Sequence, residues 1–304
     1  MTERMIGVDG IELCIEEFGA EGQPGVVLVP GAASPSDWWD EEFCEALAAE
    51  GYRVVRYDLR DTGRSTTRAL GQADYTGDDL VQDLAELIRA LGLAPAHVVG
   101  LSLGGGLAQQ LAISEPDTVA SLTLMSTSPG GPSDAGEPDA DADPDADPDA
   151  DALPPMSEAL AASFAVERPP LDWSDREAVV RSTLADEELF GGSIPLDEER
   201  IRRIAGRAFN RAIDPSAGAN HFSLPSASGT REQLGGITAP TLVVHGTHDP
   251  LFPLAHGEAL AREIPGARLL PVPGLGHQFP PPQTWALLVP ALTAHFAEAT
   301  RRRA

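Results

Sequence analysis

Lysine is absent from this 304-residue chain, and all 21 of its basic residues are arginine. Schiff-base chemistry on a lysine is therefore excluded. Cysteine is nearly as scarce: Cys14 falls in a strand pattern and Cys44 in a helix pattern, which reads as two buried thiols and not as a disulfide framework or a metal site. No stretch of about 18 uncharged apolar residues occurs, so no membrane-spanning helix is expected. Residues 1–7 also lack the apolar segment of a secretory signal, and the expectation is a soluble, cytoplasmic protein. Positive charge is the scarcer sign. With 47 acids, the net charge of −26 repels nucleic acid and anionic membrane alike and leaves small neutral or cationic molecules as partners.

What the chain does have is apolar residues, 42% of the total, enough to bury a large core. Short β-rich runs at 25–29, 54–57, 97–101, 121–125, 241–244 and 268–272 alternate with helical spacing at 41–50, 78–91, 103–114, 255–263 and 284–299. Near-continuous apolar strands separated by helices predict an α/β fold with a mostly parallel, doubly wound sheet. Residues 11–17 alternate apolar and polar and are expected to begin an antiparallel hairpin at the sheet edge.

The rhythm stops after Ser126 and resumes near Ile237, with helical patterns at 157–165, 174–188 and 197–213 between. The chain thus divides into a core of 1–128 and 236–304 and an inserted helical cap of 129–235. The cap opens with an Asp-rich tract, 134–151, whose nine acids and missing basic residues predict an extended, solvated segment. It lacks the glycine turn and terminal glutamate of a calcium loop.

The chemistry centres on Gly100-Leu101-Ser102-Leu103-Gly104, a serine flanked by glycines where a strand pattern gives way to a helix pattern. This is the nucleophile-elbow pattern, in which a strained turn lifts the hydroxyl out of the sheet. A serine hydroxyl becomes a nucleophile only when a base takes its proton and a third group fixes that base. Asp249 follows the apolar run 241–244 in the turn His245-Gly246-Thr247-His248-Asp249, and His277 follows Gly274-Leu275-Gly276 after the last strand. The order Ser102, Asp249, His277, each just past a strand, is the order expected of an α/β-hydrolase triad. Taken singly, Asp249 reads as a turn residue and His277 as a loop histidine.

The backbone amide of Leu103, at a helix N-terminus, is one candidate oxyanion donor. The second falls in Pro30-Gly31-Ala32-Ala33, with Ala32 the choice and Ala33 the alternative. Trp38, Trp39, His221 and Phe222 are candidate pocket residues, although adjacent tryptophans often split between core and surface and a buried histidine is often structural. His245 and His248 belong to no three-ligand set, so neither a metal nor a cofactor is expected. Asp58, Arg60 and Asp61 read as a polar knot supporting the site.

Residues 57–68, 97–104 and the His248-Asp249-Pro250 turn resemble the α/β-hydrolase family and, within it, serine esterases of the aclacinomycin methylesterase type. The resemblance implies a serine esterase with a helical cap, with Ser102 as nucleophile, Asp249 as acid and His277 as base. It places the oxyanion donor at Ala32, where that type has glycine. The cap departs from the resemblance, above all in the Asp-rich tract, so only the chemistry carries across.

The reading is a carboxylic ester hydrolase of small molecules working through an acyl-enzyme. Amides, thioesters and lactones share that intermediate. A cofactor-free haloperoxidase or perhydrolase would use the same three side chains with peroxide as acceptor. Dehalogenase and epoxide-hydrolase chemistry needs a carboxylate where Ser102 stands, and a non-catalytic binding module would not need the three residues at all. Deleting 134–151 is expected to leave the thermal unfolding midpoint nearly unchanged in a calorimetric scan, and a large drop would show that the tract packs.

Overall fold

Arg4–Val8 (β1) and Ile11–Phe18 (β2) form an antiparallel hairpin in which Val8 pairs with Ile11. Its two turn residues, Asp9 and Gly10, both have positive φ, 40° and 85°, as a tight hairpin turn demands. The expected hairpin is therefore real but lies on the other side of its strand. Residues 11–17 end the hairpin instead of beginning it, and β1 is the sheet edge, because the Asp-Gly turn precedes Ile11. This computed structural model describes residues 3–130, 152–166, 169–225 and 231–303, so the Asp-rich tract lies outside the described residues.

The chain continues through Gly25–Val29 (β3), Glu41–Ala49 (α1), Arg53–Tyr57 (β4), Gly77–Ala90 (α2), Ala96–Leu101 (β5), Leu103–Ser114 (α3) and Val119–Met125 (β6). Glu158–Phe164 (α4), Arg176–Phe190 (α5) and Glu198–Arg211 (α6) follow. Thr241–Gly246 (β7), Ala255–Glu263 (α7), Arg268–Val272 (β8) and Pro282–Arg303 (α8) complete it. The eight strands lie in the order β1-β2-β4-β3-β5-β6-β7-β8, antiparallel only at the β1/β2 and β2/β4 pairs.

Side chains alternate across a strand, and here both faces are covered. In β3, Val27 and Val29 join Leu80, Leu84, Leu107 and Leu111 of α2 and α3. Val26 and Leu28 join Phe43, Leu47, Leu292 and Phe296 of α1 and α8 on the opposite face. The same division holds in β7, where Val243 faces the first cluster and Leu242 and Val244 the second.

Two of the helices inserted between β6 and β7 are capped by acidic side chains, Asp197 where the helical pattern at 197–213 begins and Asp175 one residue past the start of that at 174–188. Asp175 Oδ1 accepts from Glu177 N and Ala178 N, and Asp197 Oδ1 accepts from Arg200 N. Apolar residues of α5 and α6, Val180, Leu184, Ile201 and Ile204, join the second core cluster.

The other contribution of α6 is ionic. Arg200, Arg207 and Arg211 are spaced by seven and four residues and therefore share a face. Arg200 Nε bonds Asp40 Oδ2 at 2.9 Å, and Arg207 meets Glu16 at 2.9 Å and Asp37 at 2.8 Å. Arg211 bonds Asp58 Oδ2 at 2.8 Å and also pairs with Glu3 and Asp37. Asp37, Asp40 and Asp58 are buried. Burial raises the carboxyl of Asp37, with Asp58 adding to the rise and the guanidinium groups opposing it. Arg211→Met would leave buried Asp58 without its arginine partner and Asp37 with Arg207 alone, at a cost of about 3–5 kcal/mol. Denaturant titration of that variant should show this loss, whereas Arg202→Met, on the exposed face, should change stability by less than about 0.5 kcal/mol.

Candidate active site

β5 delivers Leu101 into the sheet and then turns sharply, leaving Ser102 at φ 52° and ψ −118° at the start of α3. Such a conformation costs a non-glycine residue about 1–3 kcal/mol and persists only where its surroundings enforce it. Ser102 N donates to Met125 O at 3.0 Å, and Ser102 O accepts from Gly105 N, Gly106 N and Thr127 Oγ1. The flanking glycines have a steric reason. A Cβ on Gly100 would collide with Gly104 O, and one on Gly104 would collide with the carbonyl oxygens of Val29 and Pro30.

The three side chains singled out in the sequence meet at this turn. His277 Nε2 lies 3.0 Å from Ser102 Oγ, and His277 Nδ1 lies 2.9 Å from Asp249 Oδ2. The other oxygen of Asp249 accepts the amides of Leu251 and Phe252 at 2.9 and 2.8 Å. Burial pushes the carboxyl of Asp249 upward, but its contacts with His277, the nearby His245 and these amides prevail, and its pKa lies below the ordinary value. A carboxylate fixed at both oxygens holds the imidazole with its Nε2 facing the serine.

The loop of His277 is thin for a reason. His277 N donates to Phe190 O at 2.8 Å, and Ser193 N donates to Gly274 O at 2.8 Å. Side chains on Gly192 or Gly276 would collide with the opposite backbone, so two glycine-bearing segments press together with nothing between them. The glycines before His277 thus serve close approach to the end of α5.

Ser102 and His277 open into a cavity of about 480 Å³. Its walls carry the rings of Trp38, Trp173, Phe190, Phe209, Phe222 and Phe279, with no arginine among the described residues that line it. Trp38 stacks on Phe279 with centroids 6.0 Å apart. Phe222 sits at the rim, 74% exposed. Glu187 is in the wall, and burial together with Asp186 raises its carboxyl to about 7 against the pull of Arg200 and His277. The main-chain amide of Ala32 borders the same space, that of Leu103 directly follows the serine at the start of α3, and neither donates to an acceptor among the described residues.

Two expected pocket residues do not line this cavity. Trp39 is 1% exposed and packs against Phe43 and Phe279 in the core, because one of two adjacent side chains must turn inward. His221 stands behind the loop of Ala32, with both ring nitrogens bonded to backbone. The alternative donor Ala33 is committed as well, since its amide donates to His221 Nδ1. His245 and His248 diverge: His245 Nε2 donates to Phe252 O at 2.7 Å, and His248 is exposed beside Thr247.

Asp58, Arg60 and Asp61 do form a supporting knot. Asp58 accepts from Ser36 N, Ser36 Oγ, Arg64 N and Arg211. Asp61 accepts from Tyr75 Oη, Asn220 Nδ2 and Arg68 N, and Arg60 pairs bidentately with Asp83. Sequence reasoning missed Trp173, Phe190, Phe209 and Phe279. Only Phe279, two residues beyond His277, carried any positional signal.

Gly104→Ala tests the steric account of the turn. It should cost about 1–3 kcal/mol in thermal or chemical unfolding, as overpacking against fixed backbone does.

The pattern of the α/β hydrolase fold family matches residues 24–280. The rhodomycin D methylesterase DauP of Streptomyces sp. (strain C5) is 33% identical over 302 residues, covering 99% of this chain and all of that protein. A putative non-heme bromoperoxidase, BpoC of Mycobacterium tuberculosis, is 30% identical over 88% of this chain and 91% of its own length. Among solved structures, the esterase RhEst1 from Rhodococcus sp. ECU1013 superposes with a TM-score of 0.73 at 23% identity, over 98% of this chain and all of the other. With its sheet order, its serine turn and a family match spanning most of its length, this chain belongs to the α/β-hydrolase fold family.

Proposed function

We propose that this protein is a serine hydrolase that cleaves a carboxylic ester of a small molecule through an acyl-enzyme. The observation that carries the reading is the unbroken contact from Asp249 through His277 to Ser102. As Ser102 Oγ attacks the ester carbonyl, His277 Nε2 takes its proton and Asp249 stabilises the resulting imidazolium. The amides of Ala32 and Leu103 receive the negative charge that develops on the carbonyl oxygen. His277 then returns the proton to the leaving alcohol, and water, activated by the same histidine, releases the acid.

The full-length similarity to a rhodomycin D methylesterase supports a narrower reading, a methyl ester of a polyketide or other secondary metabolite. A cavity of about 480 Å³ walled by aromatic rings suits a flat, apolar acid portion. Residues 129–235 are then the cap that shapes this cavity. Two buried, unpaired cysteines agree with work in the reducing cytoplasm. Among the described residues no helix is long and apolar enough to cross a membrane.

The similarity to BpoC supports one alternative, in which peroxide replaces water as acyl acceptor. Peroxide-dependent halogenation faster than ester hydrolysis would favour it. On the esterase reading, Ser102→Ala should lower p-nitrophenyl ester turnover by about four orders of magnitude or more with the fold intact by circular dichroism. Wild-type-like activity in that variant would refute Ser102 as nucleophile. In a panel of esters, bulky aromatic methyl esters should be turned over in preference to short acyl chains, and the reverse order removes the narrower reading.

A further inference from the structure

The loop after β3 owes its shape to bonds that do not engage the Ala32 amide. The peptide joining Ala32 to Ala33 is held at both ends, since Ala32 O accepts Ser34 Oγ at 3.1 Å and Ala33 N donates to His221 Nδ1 at 3.0 Å. Gly31 O accepts Ser34 N at 3.3 Å, which fixes the preceding peptide. Ala33 itself sits at φ 55°, a left-handed conformation that a residue with a side chain adopts only under constraint. The Ala32 amide donates to no acceptor among the described residues and borders the cavity beside Ser102.

His221 is well fitted to impose this constraint. It is 7% exposed, and because Nδ1 accepts from Ala33, the ring proton must be on Nε2, which donates to Arg60 O at 2.8 Å. Arg60 is in turn anchored through its side chain to buried Asp83. Burial lowers the pKa of His221, with the Arg60 carbonyl and the Asp61 charge opposing only in part, so the ring stays neutral and Nδ1 stays an acceptor. Gly218 lets the segment lie flat on the loop, because a Cβ there would stand 3.1 Å from the Ala33 Cα.

We infer that His221 is a positioning residue for oxyanion binding: by capturing the Ala33 amide it locks the turn that presents the Ala32 amide to the reacting carbonyl. His221 lies in the short helical segment Ala217–Ser223, between β6 and β7, and is 188 positions from Ala33 in sequence. Docking of the inserted segment and assembly of the donor pair are therefore one event. The inference rests on the esterase reading and adds to it a side chain that never touches substrate.

Two substitutions separate the two ring nitrogens. In His221→Asn the amide oxygen replaces the Nδ1 acceptor and the bond to Arg60 O is lost; in His221→Gln the side-chain NH₂ replaces the Nε2 donor and the Ala33 amide is released. H221Q should lose about 10–100-fold in kcat on a p-nitrophenyl ester with KM within about twofold, as expected when a transition-state donor is misplaced but not deleted. H221N should stay within about threefold of the wild type. Affinity for a trifluoromethyl ketone, whose hemiketal oxyanion needs the same donors, should fall with kcat. Amide exchange measured by NMR should accelerate at Ala33 in H221Q and not in H221N. Unchanged kcat in H221Q, an equal loss in both variants, or a loss confined to KM would overturn the assignment. The exchange measurement needs no turnover, so it still reports on the clamp if the esterase reading itself fails. Should H221Q not fold, Ser34→Ala frees the other end of the same peptide and carries the same expectation for kcat.

Discussion

The arginine stripe of α6 is the interaction on which the remaining architecture leans. Arg200, Arg207 and Arg211 meet Asp40, Glu16, Asp37, Asp58 and Glu3, and most of these acids are buried in the core strands and the loops that follow them. An ion pair out of water contributes little net stability, yet a carboxylate deprived of its partner there is costly. Sheet and inserted helices are consequently obligate complements. A chain with a net charge of −26 has few cations to place, and it places three of them in this seam. The loops so held, after β3 and β4, are among those that border the cavity.

Backbone strain is concentrated at the same end of the sheet. Ala33, Asp61, Ser102 and Ser126 are non-glycine residues with positive φ, and each follows or closely trails a strand. Their neighbours make these conformations tolerable: Ser102 is tied to Met125, Ser126 to Val244, Asp61 to Thr66 and Ala33 to His221. Rigid strand ends thus present loops whose hydrogen-bonding groups face the cavity already oriented.

Much of this was legible from residue order alone. The β3 boundaries match the apolar run at 25–29, because a strand buried on both faces leaves an unbroken apolar signature, and those of β8, a half-exposed edge strand, match the run at 268–272. Ser102, Asp249 and His277 were findable because each sits in a turn whose local chemistry, glycine spacing or strand ending, announces it. Trp39 and His221 were misplaced because the side of a loop that a side chain takes is decided by packing from distant segments. The Asp9-Gly10 turn was present in the sequence, but β1 carries too little apolar pattern to be noticed beside it. The aromatic walls at Trp173 and Phe209 left no local trace, since what makes them walls is the docking of α5 and α6.

The main chain of the base hangs from the end of α5, through Phe190 O on one side and the Gly274 carbonyl on the other. Cavity size and imidazole placement are accordingly not separate variables in this scaffold. An engineer who shortens or swaps α5 to admit a bulkier acid shifts the proton acceptor with it. Variation of the Phe209 ring on α6 or of the exposed Phe222 ring at the rim reaches the cavity and leaves that tether untouched.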